Sequence, residues 1–555
     1  MRITIDGIIC RIKHGESVKA VLDANNLSIG TLSSRPLACK VGGEVHSLNY
    51  HPAENAAITL LRYGSDSGKR VYERSIKFIF LLACKLLFPS ARVLEEYSIG
   101  NGVFFAIENR EPPNIDDARL VEKKCRQLIE KKLIFKKIKV SLKDAVENSI
   151  TTGQIDKTNL LKWRSVDFFK LYYFDEYPDF KDYFYGETVL DTGYTDVFSI
   201  EAYDGGFVLM EPDKNNPEIP AKFVREDKLA TVFRQGNRWA EILKCSNVAE
   251  LNELVKSGKI CELIRVNEAL HEKNFALLAD SIVKNGARAV MVAGPSSSGK
   301  TTSAHRLLTQ LRVNDLSPVL ISLDNYYRDR NKIALDENGE IDLENIDALN
   351  IERFNDDLFS LISGKPTALP LFNFLTGKSE ETGKTITLYS NQPVIIEGIH
   401  ALNPKMISNA IDKSTVYRVY VNALTTLNLD DHNMIRTSDV RLLRRLVRDY
   451  KTRSASMEHT FSMWDSVKRG EEIWITPFRE EADTFLNTIL VYEISILKKY
   501  VYPLLSEVMP NSAYYAPARE LIKFLNYFLS SDADAEIPPT SILREFIGGN
   551  SFYRD

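Results

Sequence analysis

The stretch that most constrains the fold of this 555-residue chain is Gly294–Thr302, which reads GPSSSGKTT. It fills every place of the pattern G-x-x-x-x-G-K-[ST]. The apolar run Ala289–Ala293 precedes it and predicts a buried parallel strand, and Thr302–Leu311 predicts the start of a helix. Strand, glycine-bounded loop and helix are the context that this pattern needs, so the sequence predicts an α/β domain built around a phosphate-binding loop.

The chemistry of the loop indicates which ligand it binds. Glycines let the backbone turn so that successive N–H groups point at one anion, and the helix N-terminus adds a partial positive charge. We expect Lys300 to reach the β- and γ-phosphates of ATP and the Thr301 hydroxyl to bind Mg²⁺. The nine predicted phosphate-binding residues are Gly294, Pro295, Ser296, Ser297, Ser298, Gly299, Lys300, Thr301 and Thr302.

Composition places the chain among globular proteins. Hydrophobic residues make up 44% and charged residues 26%, which at this length suggests about three or four domains. The net charge of -4 argues against a general nucleic-acid coat but allows a local basic patch. Six scattered cysteines without a C-x-x-C pair predict reduced thiols rather than disulfides or a zinc site. Without a signal peptide or an apolar run of ~20 residues, we expect a cytoplasmic protein with no membrane contact.

Residues 1–225 predict two folded units. Residues 3–13 alternate as ITIDGIICRIK before an apolar helix start at Val18–Ala24, and residues 1–58 resemble a TGS domain, a β-grasp module at the start of threonyl-tRNA synthetases. Residues 59–225 resemble the α+β second domain of the same synthetases, through the L-F-P and G-V-F-F segments between residues 87 and 105.

The catalytic histidines of that synthetase domain are missing. Their two positions hold Arg74 and Phe78, and neither side chain can bind zinc or act as a base. The resemblance therefore implies a retained shape and a lost hydrolytic site. RNA binding remains possible for this region, and scaffolding or regulation is the alternative. Residues 226–286 predict a helical connector in which His271 is packed or solvated.

Two acidic residues follow β-like runs of the domain at 287–505. Asp324 follows Val319–Leu323, and Glu397 follows Val394–Ile396. Open α/β sheets bind ligands outside the carboxyl ends of their strands. We expect Asp324 to accept a proton from an attacking hydroxyl or to orient that hydroxyl, and Glu397 to lie near Mg²⁺. The alternatives are a helix cap for Asp324 and a structural hydrogen bond for Glu397.

A basic segment follows a further predicted strand, Val416–Val421. Four arginines recur at three- and four-residue steps and share one helical face: Arg441, Arg444, Arg445 and Arg448. With Asp449 as the one nearby acid, this face could clamp a polyphosphate while charge moves during transfer. A solvated basic face or a nucleic-acid contact is the alternative.

The order of these motifs identifies a family. GPSSSGKTT, SLDNYYR, DLENIDALN, VIIEGIH and RLLRRLVRD together resemble the uridine kinase/phosphoribulokinase family over about residues 287–505. The whole chain is similar to bacterial nucleoside kinases that fuse synthetase-like domains to a uridine kinase domain. The resemblance implies that Tyr327 lines the nucleoside site, that Glu344 holds the ribose hydroxyls, that Arg445 and Arg448 serve substrate and lid, and that Arg453 lies in the lid.

The base pocket departs from that family. Uridine–cytidine kinases place a tyrosine, a histidine and an arginine around the pyrimidine, and those positions here hold Phe372, Gly377 and Ala455. Phe372 could stack on a base, but the groups that read the edge of uracil are missing. The resemblance therefore supports nucleoside phosphorylation without identifying the base.

These observations combine into one expectation. The fold class is α/β, with a P-loop parallel-sheet kinase domain after a β-grasp domain and an α+β synthetase-like domain. Residues 506–555 predict a helix at Ala513–Leu529 and a docking tail. The expected activity is transfer of the γ-phosphate of ATP to the 5′-hydroxyl of a nucleoside. The alternatives are a kinase for another small alcohol, such as a phosphorylated pentose, and an RNA- or nucleotide-binding regulator that uses the loop as a switch. The family also suggests a homo-oligomer.

Overall fold

The first domain is a small mixed sheet crossed by one helix. A computed structural model describes residues 2–552 except 28, 29, 165, 167, 185, 336–338 and 340. The sheet has the order β2-β1-β5-β3-β4, and its parallel pair is β1 and β5. The last strand extends to Leu61, beyond the predicted boundary at residue 58. The elements are β1 (Arg2–Ile5), β2 (Ile8–Arg11), α1 (Val18–Ala24), β3 (Ala38–Val41), β4 (Glu44–His46) and β5 (Ala57–Leu61).

A long buried helix organises the second domain. Helix α2 (Asp66–Leu87) begins at the cap residue Ser65, whose side chain accepts from the Gly68 amide, and it packs with the sheet β11-β12-β7-β6. Phe78 and Phe80 of α2 are fully buried in its aromatic core. The further elements are β6 (Arg92–Ile99), β7 (Gly102–Glu108), α3 (Ile115–Glu130), β8 (Lys136–Ser141), α4 (Leu142–Thr151), α5 (Ile155–Leu161), β9 (Phe168–Phe174), β10 (Tyr177–Asp182), β11 (Ser199–Tyr203) and β12 (Gly206–Met210).

Residues 226–286 are helical, as the sequence predicts, but they belong to the core of the next domain. The three helices are α6 (Asp227–Leu243), α7 (Val248–Lys256) and α8 (Ile260–Asn285). Buried residues of α8, such as Phe275 and Leu278, share one hydrophobic core with Val290 and Leu307 of that domain. His271 is buried, and its Nε2 lies 2.9 Å from the Ile489 carbonyl oxygen, so it is packed rather than exposed.

The third domain is a parallel sheet with helices on both faces. Its strand order is β14-β17-β13-β18-β21, and every pairing is parallel. The central strand is buried at all five residues, which agrees with its continuous apolar sequence. The elements are β13 (Ala289–Ala293), α9 (Lys300–Val313), β14 (Val319–Ser322), α10 (Ile351–Ile362), β15 (Thr367–Asn373), β16 (Lys378–Ile386), β17 (Val394–Glu397), β18 (Val416–Asn422), β19 (Asn428–Asp430), β20 (Asn433–Met434), α11 (Thr437–Arg453), α12 (Met457–Trp474), β21 (Thr484–Asn487) and α13 (Glu493–Ser506).

The four predicted strands of this domain form within a residue of their predicted ends, and the strands that were not predicted are the hairpin of β15 and β16, the short pair β19 and β20, and the edge strand β21. The hairpin of β15 and β16 was missed because β16 is exposed along nearly its whole length and carries no apolar alternation. The edge strand β21 was missed because it is only four residues long. The chain ends with α14 (Tyr515–Leu525) and α15 (Arg544–Ile547), and the tail docks as expected, with Ile542, Leu543 and Phe546 fully buried.

The described residues include no helix that is both long and apolar enough to cross a membrane. All six cysteines are free thiols, and five of them are buried.

A buried ionic cluster joins the second domain to the third. Lys157 of α5 bonds to Asp182 at the end of β10, and Nδ1 of His432, between β19 and β20, lies 2.5 Å from Asp182 Oδ2. Burial works to raise the pKa of the Asp182 carboxyl, but Lys157 and His432 outweigh it and hold that pKa at about 2. The cluster ties together segments about 250 residues apart in the chain.

The variant Lys157→Met tests this interface. It removes the lysine shared by the buried carboxyls of Asp182 and Asp430 and leaves His432 as the cation bonded to Asp182, so we expect a loss of about 3 kcal/mol, at the low end of the range for breaking a buried pair. The measurement is hydrogen exchange of the amides in α5 and β10 at increasing urea. Lys162→Met, on an exposed lysine five residues away, is the matched control. Equal protection in both variants would contradict the assigned role of the cluster.

Candidate active site

The predicted site residues converge at the carboxyl edge of the parallel sheet. Strands β14, β17 and β13 are neighbours, and each ends in a predicted functional group. Asp324 lies just beyond β14, Glu397 is the last residue of β17, and the loop 294–299 follows β13. Ser322 stands opposite Glu397 in the strand register and donates to its Oε1 at 2.7 Å. Strand order therefore brings together groups that are far apart in sequence.

At two positions of the loop, neighbouring atoms lie so close to the backbone that only glycine fits. A Cβ at Gly294 would overlap the carbonyl oxygen of Val421 on β18. Gly299 has a φ of +86°, and a Cβ there would lie 2.7 Å from Ile542 Cγ2. Both positions exclude a side chain, and Gly299 also has a backbone conformation that favours glycine. The loop is thus held between β18 on one side and the C-terminal tail on the other.

The loop presents donors suited to phosphate. The N–H groups in the first turn of α9 lack partners inside the helix, and its cap residue Gly299 offers no side-chain bond. Lys300 folds back to donate from Nζ to the Pro295 carbonyl at 3.1 Å. Burial lowers the pKa of Lys300, and the nearby carboxylates of Glu397 and Asp324 oppose that shift. These amides, the ammonium and the Thr301 hydroxyl fit a polyphosphate with its Mg²⁺.

Three carboxyl groups around the loop hold protons more tightly than usual. Burial raises the pKa of Glu397 to about 7, with Asp324 adding to the shift and Lys300 opposing it. Burial likewise raises the pKa of Glu344 to about 7, against the effect of Arg445. The pKa of Asp324 is also raised by its surroundings, with Lys300 and Arg453 opposing. Raised carboxyl pKa values in one cleft are typical of acid–base and metal-binding sites.

The arginines of α11 divide into two pairs, which corrects the expectation of one four-arginine clamp. Arg444 is fully buried and forms a two-pronged bond to Glu493, at 2.8 and 2.6 Å. Arg441 is also buried and bonds to Glu471. Further N–H groups of both arginines approach carbonyl oxygens of the loop. Arg441 Nη1, for example, lies 3.4 Å from the Ser296 carbonyl oxygen. Because these guanidinium groups already have carboxylate partners, Arg441 and Arg444 stabilise the backbone of the loop and are not free to bind a ligand.

The other arginines remain oriented toward the cleft. Arg445, Arg448 and Arg453 all form ion pairs with one acid, Asp449, at 3.2, 2.9 and 3.6 Å. Three cations around one carboxylate leave an excess of positive charge. Arg445 also donates to the Ser296 hydroxyl at 2.9 Å, which places it on the loop itself. Positive charge is thus concentrated in this group rather than spread over the whole helix face, and such a group suits an anionic ligand.

The predicted nucleoside side of the cleft is aromatic and nearly closed. Tyr327 donates from its hydroxyl to the Leu343 carbonyl at 3.0 Å, and its ring lies 5.5 Å from that of Phe372. Phe372 is only 4% exposed and packs edge-on against Phe374. Little of the Phe372 face is therefore available for stacking on a base.

Gly377 and Ala455 stand at positions where uridine–cytidine kinases have a histidine and an arginine, and their surroundings in this structure are as follows. A Cβ at Gly377 would come within 2.9 Å of Arg330 Cβ, so the Arg330 side chain covers the place of the family histidine. Ala455 follows the end of α11, and its amide donates to the Asp449 carbonyl at 3.0 Å. Glu344 packs directly against Gly470 of α12, where a side chain would overlap it.

Sequence reasoning missed two residues of this region. His400 is 1% exposed, and burial lowers the pKa of its imidazole to about 4, with Lys300 adding to the shift and a hydrogen bond to the Glu344 backbone opposing it. The sequence feature that could have pointed to His400 is its position, three residues after Glu397. Glu545 accepts from the Thr302 hydroxyl at 2.7 Å, and nothing in the local sequence of the tail indicates that contact.

Arg74 and Phe78, which the sequence comparison with synthetases singles out, have structural contacts. Phe78 lies at the centre of an aromatic cluster with Phe135, Phe174 and Phe184. Arg74 donates to the Glu187 carbonyl at 3.0 Å. Both side chains therefore contribute to packing of the second domain.

Comparisons with known proteins agree with this site. Residues 289–495 match the family model described as Phosphoribulokinase / Uridine kinase family. Curated uridine kinases of Staphylococcus aureus, from strains Newman and Mu50 among others, are 28% identical over 196 residues, which is 35% of this chain and 84% of those proteins.

Solved structures match a similar share of the chain. A putative fructose transport system kinase from Silicibacter is 17% identical, over 38% of this chain and 98% of that one, with a TM-score of 0.30. A possible uridine kinase from Bacillus stearothermophilus is 19% identical, over 39% of this chain and 98% of that one, with a TM-score of 0.27.

The family match begins at the first residue of β13 and ends at the start of α13, so it covers the parallel sheet and every residue of the cleft described above except Glu545. Over residues 289–495 this chain is therefore similar to the phosphoribulokinase/uridine kinase family.

Proposed function

We propose that this protein is a kinase that transfers the γ-phosphate of ATP to the 5′-hydroxyl of a nucleoside. The observation that carries the proposal is the convergence of the loop, Asp324 and Glu397 on three neighbouring strand ends. A nucleotide-binding switch needs the loop, but it has no use for a carboxylate placed to receive a proton from a second substrate. That carboxylate favours an enzyme over a regulator.

The donor half of the reaction rests on the loop residues. The amides of the first turn of α9 and the Lys300 ammonium would hold the phosphate chain, and Arg445 would contact it from the Ser296 side. Arg441 and Arg444 fix the loop carbonyls, so the amides keep their orientation without having to reorganise during transfer.

The acceptor half rests on Asp324. Its carboxylate would accept the hydroxyl proton as the new oxygen–phosphorus bond forms and the bond to the ADP oxygen breaks. Glu344 would accept hydrogen bonds from the sugar hydroxyls and so orient the acceptor. Arg448 and Arg453, at the end of α11, would neutralise charge on the transferring group and exclude water.

Two residues would hold the metal. The Thr301 hydroxyl would bind Mg²⁺, and Glu397, positioned by Ser322, would bind it directly or through its water. When bound, the ion supplies positive charge that neutralises the phosphate oxygens.

A second acceptor class is favoured by one feature of the cleft. The Arg330 side chain covers Gly377, and the Phe372 ring is almost fully buried. The base pocket of a uridine kinase is therefore only partly retained. Another sugar alcohol, such as a phosphorylated pentose, would not need that pocket. Cytoplasmic location, RNA binding by the N-terminal domains and assembly into homo-oligomers stay predictions from the sequence.

A substrate panel distinguishes these acceptors. Purified protein is incubated with ATP, Mg²⁺ and each of a set of ribonucleosides, pentose phosphates and pantothenate, and the products are identified by mass spectrometry. We expect a nucleoside 5′-monophosphate. Phosphorylation of only a pentose phosphate would replace the nucleoside with that acceptor, and no product with tight RNA binding would favour the regulator.

The variant Asp324→Asn tests the proton acceptor. The amide keeps the shape of the side chain but cannot take up a proton, so we expect kcat to fall by about 10²–10⁴-fold with ATP affinity unchanged. The measurement is steady-state turnover together with calorimetric titration of ATP. Asp356→Asn, on the exposed face of α10, is the control. Turnover within twofold of the unmodified protein would remove the role of Asp324.

The pH dependence of acceptor binding tests Glu344. Its pKa of about 7 means that the carboxylate gains a proton as pH falls from 8 to 6, and the protonated form accepts hydrogen bonds from sugar hydroxyls less well. We expect KM for the acceptor to rise over that interval, and Glu344→Gln to abolish the rise. Glu352→Gln, on an exposed glutamate, should retain it. A pH-independent KM in the unmodified protein would contradict this role.

A further inference from the structure

The C-terminal tail reaches into the proposed donor site. Glu545 of α15 places one carboxylate oxygen, Oε2, 2.7 Å from the Thr302 hydroxyl and 3.4 Å from the Thr302 amide. Thr302 directly follows Thr301, the last residue of the loop motif, and lies in the first turn of α9. A carboxylate therefore sits on the hydroxyl and amide of a residue that we predict to bind nucleotide phosphates.

The helix end explains why a carboxylate binds there. The cap residue of α9 is Gly299, which has no side chain to accept from the first-turn amides. An anion at the N-terminus of a helix is stabilised by these amides and by the helix dipole. Glu545 supplies that anion from a position 243 residues further along the chain. Its charge also acts on Lys300 and Glu397, which places it within the electrostatic field of the same cleft.

The backbone of the tail is fixed, whereas the Glu545 side chain is only half-buried. Ile542 packs against Gly299, Lys451 donates to the Ile547 carbonyl at 2.7 Å, and the Arg444 guanidinium lies 5.1 Å from the centre of the Phe546 ring. Phe552 stacks on His305 of α9, with ring centres 5.6 Å apart. A rotation of the Glu545 side chain toward solvent is thus enough to clear the loop while the tail stays in place.

We propose that Glu545 is an affinity-determining residue of the donor site, whose carboxylate occupies a phosphate position and must leave when a nucleoside triphosphate binds. The inference rests on the proposed function, because it assumes that the loop binds nucleotide phosphates. Two anions cannot share the Thr302 hydroxyl and amide without strong repulsion in a partly buried cleft. Nucleotide binding therefore includes the loss of the Glu545 contacts, and the affinity for phosphates is lower than the loop alone would give.

The inference predicts an increase in affinity from a single uncharged substitution. Glu545→Gln keeps the size of the side chain and removes its charge, so we expect the Kd for ATP and for tripolyphosphate to decrease by about tenfold or more. Adenosine, which has no phosphate, should bind both forms equally. The measurement is isothermal titration calorimetry of the full chain at fixed salt, with thermal unfolding to verify that the fold is kept.

Two control variants separate the possible outcomes. Asp532→Asn removes an acidic group that is exposed on the same tail and should leave every affinity unchanged. Lys300→Ala should weaken ATP binding, because it removes a phosphate ligand of the loop. An ATP affinity of Glu545→Gln that is equal to or weaker than that of the unmodified protein would overturn the inference and leave the proposed function standing. A chain in which neither form binds ATP or tripolyphosphate would overturn both.

Discussion

The clamping of the phosphate-binding loop is the constraint on which the rest of the site depends. The loop leaves the central strand at Gly294, which lies so close to the Val421 carbonyl that no side chain fits. From α11, Arg441 and Arg444 approach its carbonyl oxygens, and each is neutralised by its own carboxylate. Buried charges are tolerated only when they are paired and hydrogen-bonded. These two pairs therefore fix the loop backbone without adding net charge to the cleft.

Charge on the open side of the cleft is distributed differently. Arg445, Arg448 and Arg453 share the single carboxylate of Asp449, so positive charge remains available to a phosphate. Opposite them, burial raises the pKa of Asp324, Glu344 and Glu397, and the Asp324 carboxylate adds to the shift of the two glutamates. Arginines therefore lie on one side of the cleft and carboxyl groups on the other. This arrangement suits a reaction in which a proton and a phosphoryl group are transferred beside a bound metal ion.

Much of this arrangement could be predicted from local sequence, and the failures share one physical cause. The loop, Asp324 and Glu397 were found because each follows an apolar strand, and parallel strands end at one edge of a sheet. Helical spacing correctly put Arg441 and Arg444 on α11, but it could not show that Glu471 and Glu493 would be their partners. Glu545 was missed for the same reason, since its contact depends on how a tail distant in sequence packs. Long-range partners decide whether a charged side chain supports a site or acts in it.

The second domain is joined to the third by ionic contacts as well as by the chain itself. Lys157, Asp182 and His432 form a buried contact, and Arg92 with Asp431 forms an exposed one at 2.7 Å. Helix α8 shares the core of the third domain. The domains are therefore built to hold a fixed relation to the cleft.

The central claim is that the cleft couples a bound nucleoside triphosphate to a second substrate. Phosphorus-31 NMR of a reaction with ATP, Mg²⁺ and a nucleoside measures it most directly, because ADP, inorganic phosphate and a phosphate monoester give separate signals. The account predicts that ADP and the nucleoside monophosphate appear in equal amounts, with little free phosphate. Release of inorganic phosphate at the rate of ADP formation, with no monoester, would contradict it.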